Sequence, residues 1–169
     1  METQAKVMDN FTSDIGFNRS ILLECKSGKS YIELITIDKT DNVNCRVRNK
    51  SVRLSINVWQ TMLEHIDEIE HHFLQLCQGE EADYNQHIGD NLYVSMTSGV
   101  MCVDIRKFYL DRNSSWKPGQ PGIGLKLSEF RELLTIKDDV NEKLSTCEAT
   151  AEEKTQILTL QPPRKRLPK

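Results

Sequence analysis

The 169-residue chain has no Cys-x-x-Cys pair, no Gly-x-Ser-x-Gly and no glycine-rich phosphate loop. Each of those patterns fixes nucleophiles, metal ligands or backbone amides at the separation a reaction needs. Without them the chain is expected to be no enzyme and to carry no metal or cofactor. Long apolar runs are missing too. None approaches the roughly 20 residues that cross a bilayer, so no membrane association is expected. Residues 1–10 are polar, unlike a secretory signal. Positive charge is in no excess: Lys and Arg total 22 against 25 Asp and Glu, for a net charge of −3. That argues against a protein that coats nucleic acid indiscriminately and leaves a local basic patch as the remaining route. Cys25, Cys45, Cys77, Cys102 and Cys147 are odd in number and scattered, which reads as reduced thiols in a cytosolic or nuclear protein. His71, His72 and Cys77 share one expected helix, at a spacing that matches no common zinc motif.

The most strongly patterned stretch is 93–140. Tyr93, Val94 and Met96 form an apolar run closed by the turn signal Ser98-Gly99. Met101, Val103 and Ile105 alternate with Cys102, Asp104 and Arg106, the period of a half-buried strand. Lys117-Pro118-Gly119-Gln120-Pro121-Gly122 predicts a loop, and Ile123, Leu125 and Leu127 predict another strand. Ser128 offers an oxygen to the free amides of a following helix that carries Phe130, Leu133 and Leu134. Lys137, Asp138 and Asp139 interrupt that stripe, so the helix is expected to be short, with residues 145–159 lacking a core pattern.

This order of residues resembles the positive-cofactor-four transcriptional coactivators of eukaryotes. The resemblance is carried by Val103-Asp104-Ile105-Arg106, Lys117-Pro118-Gly119, Gly122-Ile123 and Leu125. It implies a curved four-stranded antiparallel sheet with one helix, and pairing of such units through their helices. It also implies a concave face for single-stranded or melted DNA, and a role assisting RNA polymerase II in the nucleus. Two departures stand out. Asp90 and Leu92 occupy first-strand positions that are basic in the family, and Thr97-Ser98-Gly99 trims a hairpin that bears an aromatic and lysines there.

The first half repeats the plan. Ile21, Leu22 and Leu23 lead to Lys26-Ser27-Gly28-Lys29, a hairpin signal, and 31–37 is rich in β-formers. Cys45, Val47, Val52, Leu54 and Ile56 suggest one or two more strands. Ser55 or Asn57 can cap a helix carrying Trp59, Met62, Leu63, Ile66, Ile69, Phe73 and Cys77, which Gly79 would end. Ile15-Gly16 and Ile88-Gly89 open the two halves, and Trp59 and Phe130 stand at similar places in their helices, so an internal duplication of about 72 residues is expected. The predicted fold class is α+β, with two tandem sheet-plus-helix units packed as a pseudo-dimer. The divisions are a disordered lead (1–13), a divergent first unit (14–78), a linker (79–86), a second unit (87–144) and a tail (145–169). A unit of about 65 residues is near the limit of independent stability, so Trp59, Met62, Leu63, Ile66, Phe130, Leu133 and Leu134 are expected to form the interface between the units.

Single strands are held by cations that meet phosphates and rings that stack on bases. Candidates in the second unit are Arg106, Lys107, Tyr109, Arg112, Trp116 and Lys117. The resemblance implies DNA contact for Arg106 and Lys117 and stacking for Tyr109. The first unit offers Arg19, Lys26, Lys29, Arg46, Arg48 and Lys50. Arg164, Lys165 and Arg166, flanked by prolines, read as a nuclear localisation signal. Expected partners are single-stranded or melted DNA, with RNA as an alternative, and the transcription machinery. A homodimer, or pairing with a family member, is the competing assembly. The alternative function is a degenerate copy that acts as a protein-interaction module.

Overall fold

The computed structural model describes residues 11–26, 29–39 and 45–159. The first unit contains β1 (Phe11–Asp14), β2 (Arg19–Lys26), β3 (Lys29–Asp38), the two-residue β4 (Cys45–Arg46), a 3-10 turn (Arg48–Lys50) and β5 (Val52–Ser55). Helices α1 (Ile56–Glu64) and α2 (Ile66–Cys77) follow. The second unit contains β6 (Tyr84–Gly89), β7 (Leu92–Met96), β8 (Val103–Leu110), β9 (Trp116–Leu125) and α3 (Leu127–Thr159). All strand pairs are antiparallel. In the first sheet β1, β2 and β3 are neighbours, β5 pairs with Tyr31–Leu34 and β4 with Ile37–Asp38. The second sheet runs β6-β7-β8-β9. The fold is α+β with two tandem units, as expected.

The pairing registers match position by position. Ile21–Leu34–Val52 and Leu23–Ile32–Leu54 are cross-strand rows of the first sheet. Leu92 and Val94 lie on β7, and Val103–Leu125 and Ile105–Ile123 pair across β8 and β9. Val52 and Ile123, like Trp59 and Phe130, lie 71 positions apart. These apolar side chains are buried and join the helices in one cluster that spans both units. Alternation puts one face of each sheet into that cluster and turns the other outward.

The helices hold the units together. Trp59 is fully buried on α1, and its indole Nε1 donates to Asn141 Oδ1 on α3 at 2.8 Å. Phe73 on α2 meets Phe130 on α3 edge to face, with ring centroids 6.1 Å apart. Helix α1 also lies beside β6, and α3 beside β2, so each unit's helix reaches the other's sheet. Met62 and Leu133 are buried, and Leu63, Ile66 and Leu134 pack partly buried against the same cluster. Ser55 caps α1 by accepting from the Val58 N–H at 3.3 Å. Gly79, at φ +79°, ends α2 in a Schellman motif: Glu80 N–H reaches Gln75 O and Gly79 N–H reaches Leu76 O.

Several expectations are corrected. The apolar stripe after Trp59 is broken at His65 into two helices. Helix α3 is long, not short: Leu133, Ile136, Val140 and Leu144 keep one buried seam, while Asp138 and Asp139 face solvent. Residues 145–159 continue it. It starts at Leu127, and Glu129 rather than Ser128 serves its end, accepting from the Lys126 N–H at 2.9 Å. The Pro/Gly stretch 117–122 lies within β9. Both prolines are tolerated there because β9 is an edge strand, and a bulge between Arg106 and Phe108 absorbs the irregularity. Strand β1 begins inside the stretch expected to be disordered. Cys25 on β2 and Cys147 on α3 form a disulfide across 122 positions, so these two are not reduced thiols. Spacing cannot reveal such a pair; only the docking of α3 on β2 brings the Cα atoms to 6.3 Å. The basic cluster Arg164–Arg166 lies outside the described residues.

Candidate nucleic-acid interface

On the outward face of the second sheet, Tyr93 pairs with Arg106, and Arg106 with Gly122. Tyr93 was expected to belong to an apolar run; it faces out, and Leu92, Val94 and Met96 are the buried members of β7. Its ring stands 4.6 Å from Phe108 and 4.9 Å from His87. Three rings therefore cross β6, β7 and β8 in a row. Beside them runs an open trough of about 510 Å3 whose lining includes Asp83, Asn85, Ser95, Asp104, Arg106 and Pro118. Asp83 accepts from the backbone N–H and hydroxyl of Ser98, which holds its carboxyl below the usual range. Burial, then the charge of Asp104, pushes the free thiol of Cys102 up, so it stays protonated. Burial also raises the Tyr84 hydroxyl to about 12.

Arg106 is brought to this face but is already engaged. Its guanidinium pairs with both oxygens of Asp104, at 3.0 and 3.1 Å, and donates to the carbonyls of Gly119 and Gln120 at 3.0 and 2.9 Å. A Cβ at Gly122 would lie 2.9 Å from Arg106 Cγ, so glycine there lets the side chain lie flat across β9. Arg106 therefore builds the bulged Pro/Gly segment. Arg106→Gln should cost roughly 1–2 kcal/mol in urea unfolding, because it removes a charge-assisted fork that is only partly buried. A variant as stable as wild type would count against this role.

The other cations divide into two groups. Arg19 is mostly buried and donates to Gly124 O at 2.6 Å, tying β2 to β9. Arg46 and Arg53 both pair with Glu33, which is fully buried on β3. The pairing with Glu33 raises the pKa of Arg53 further. Arg19 and Arg46 were expected to meet phosphate; they are structural cations. Lys107, Arg112 and Lys117 are exposed and make no ion pair among the described residues. On the β8–β9 hairpin, Tyr109 pairs with Lys117 and Leu110 with Trp116. Tyr109 and Trp116 are 53% and 51% exposed. Lys29, Arg48 and Lys50 are also exposed, and the 3-10 turn that carries Arg48 and Lys50 lies alongside β9. The Lys26 side chain lies outside the described residues.

The sheet thus offers rings along a trough, and the β8–β9 hairpin offers exposed cations that make no ion pair among the described residues. Residues 89–136 match the family model described as Transcriptional Coactivator p15 (PC4). The match runs from the end of β6 into α3 and takes in the whole β8–β9 hairpin. It supports a transcriptional coactivator of a DNA-binding, non-enzymatic family. It covers the second unit alone, so the expectation of two copies of this family is supported for that unit only. No curated protein and no solved structure matches the chain. Sequence reading missed His87, Tyr93 and Phe108 as one row of rings. The signal was the alternation along β7 and β8, which puts Tyr93 and Phe108 opposite the buried positions.

Proposed function

We propose that the chain is a transcriptional coactivator that holds single-stranded or melted DNA on the second sheet and assists RNA polymerase II in the nucleus. In this reading the first unit is a divergent second copy of the same module. The observation that carries it is the β8–β9 hairpin, on which Lys107, Tyr109, Arg112, Trp116 and Lys117 are exposed, inside the segment that matches the coactivator model. Rings take bases, and the exposed cations take phosphates. Arg164, Lys165 and Arg166 would serve nuclear import. RNA is the alternative strand, because contacts to backbone and base faces discriminate it poorly. The competing reading, a protein-interaction module, draws on the paired state of Arg19, Arg46 and Arg106. It would pair with a true family member through helices whose apolar residues are already buried within this chain.

Fluorescence anisotropy with a labelled oligothymidylate and with a duplex of mixed sequence, across a salt series, tests the proposal. Wild type should prefer the single strand. Reversing Lys107, Arg112 and Lys117 to Glu together should weaken binding by at least about tenfold at low salt. The slope of log affinity against log salt should fall by about 2, near 0.7 for each phosphate left without its cation. No binding by wild type, or an unchanged slope, would overturn the reading.

A further inference from the structure

A second concave site lies on the first unit, away from the trough. The loop between β1 and β2 carries Phe17, 83% exposed, the most exposed large apolar side chain described. Lys39 Nζ sits 4.5 Å from the centre of its ring, a cation–π contact. The floor is the end of β3, and the far wall is the 3-10 turn with Lys50; together they enclose about 470 Å3. Both walls are pinned. Ile37 N–H donates to Asn18 O at 2.8 Å, which fixes the loop on β3. Thr36 Oγ1 donates to Lys50 O, Thr36 N–H to Ser51 Oγ at 3.1 Å, and Val47 N–H to Thr36 O at 2.9 Å, which fixes the turn. The pocket is therefore preformed, and an apolar ring is held in water at its mouth with one face occupied by a cation.

Three features narrow the occupant. The exposed face of Phe17 fits a flat, stacking group. Lys39 and Lys50 both line the pocket and are exposed, against the one carboxylate of Asp38 in its lining, which fits an anionic group beside the flat one. The 3-10 turn runs beside β9, the strand that carries Trp116 and Lys117. A flat group joined to anions, on a turn that packs against β9, is a nucleotide within a strand. We propose that this pocket is a second single-strand subsite, in which Phe17 stacks on a base while Lys39 and Lys50 meet the neighbouring phosphates. The inference rests on the function proposed above and adds a set of contacts outside the matched segment.

The test uses the full chain, a labelled oligothymidylate and the same oligomer carrying 5-iodouracil. Phe17→Ala should lower affinity by about tenfold, the worth of one stacked base, with the salt slope unchanged. Phe17→Trp should restore binding. Lys50→Gln should reduce the slope by about 0.7, the share of one phosphate on a single strand. Irradiation should place a cross-link at Phe17. Because Phe17 is mostly in water, the melting temperature of Phe17→Ala should equal that of wild type, which separates weaker stacking from a damaged fold. If wild type binds and answers to charge reversal on the β8–β9 hairpin, but Phe17→Ala binds as tightly as wild type with no cross-link at Phe17, this subsite is wrong and the parent reading stands. If wild type binds no oligothymidylate at all, both fail.

Discussion

Replacing Trp59 with alanine is expected to destabilise the protein by about 4 kcal/mol, the usual cost of deleting a fully buried indole. Trp59 is the largest side chain with no exposure, and it belongs to both units at once: its backbone is on α1 and its Nε1–H bonds to Asn141 on α3. Two contributions add. The ring leaves a void among side chains from both sheets, and the Asn141 oxygen loses its partner. Trp59→Phe separates them, because it keeps most of the ring and should lose only about 1–2 kcal/mol, largely for the unpaired amide oxygen. Urea unfolding followed by circular dichroism checks both. If the units share one core, the wild type should also unfold in a single transition, and Trp59→Ala should move the whole of it. A destabilisation below about 1 kcal/mol, far under the usual cost of such a deletion, or two separate transitions with only one displaced, would show that the helices do not bind the halves into one cooperative body.

Opening the Cys25–Cys147 disulfide is the second large effect. The bridge closes a loop of 122 positions between β2 and α3, and the chain-entropy model assigns about 4–5 kcal/mol to a loop of that size. Helix α3 needs this tie more than its length suggests. Its buried apolar residues end at Leu144 among those whose side chains are described, so the cross-link fixes the helix just where apolar packing runs out. Cys147→Ser and wild type treated with a dithiol reductant should unfold at the same, lower urea concentration, and reductant should leave the variant unchanged. Titration of thiols in denaturant should find two more in reduced wild type than in oxidised. Equal midpoints with and without reductant would show that the bridge contributes nothing. In a reducing compartment the dithiol form governs, and the serine variant mimics it.

Much of the fold was legible because its signals are local. Alternation along Met101–Arg106 and the run Ile21–Leu23 marked β8 and β2; Ser55 and Gly79 marked the start of α1 and the end of α2. The stripe through Trp59, Met62 and Phe73 marked the buried face. What misled was local evidence overruled by position in the sheet or around the helix. Pro118 and Pro121 read as a loop, yet an edge strand has an outer side on which no partner needs the N–H that proline lacks. Asp138 and Asp139 read as a break in α3, yet they fall on its solvent face while Ile136 and Val140 continue the seam. The site was legible in residue type and less so in role. Arg19, Arg46 and Arg106 have the chemistry that grips phosphate, but Gly124 O, Glu33 and Asp104 already engage them; Gly124 and Glu33 are distant in sequence, whereas Asp104 shares a strand face with Arg106 and was legible as its partner. The lysines, with Arg112, were the better candidates because nothing described neutralises them.

The two halves share a strand order but carry different side chains on their outward surfaces: rings and Asp104–Arg106 on one, Glu33 with two arginines on the other. An assembly of two identical chains has a two-fold axis, so a strand laid across it meets the same groups in either orientation. Here no such axis exists. If a single strand lies across both halves, as proposed above, it would meet unlike groups at its two ends and so take one favoured 5′-to-3′ direction.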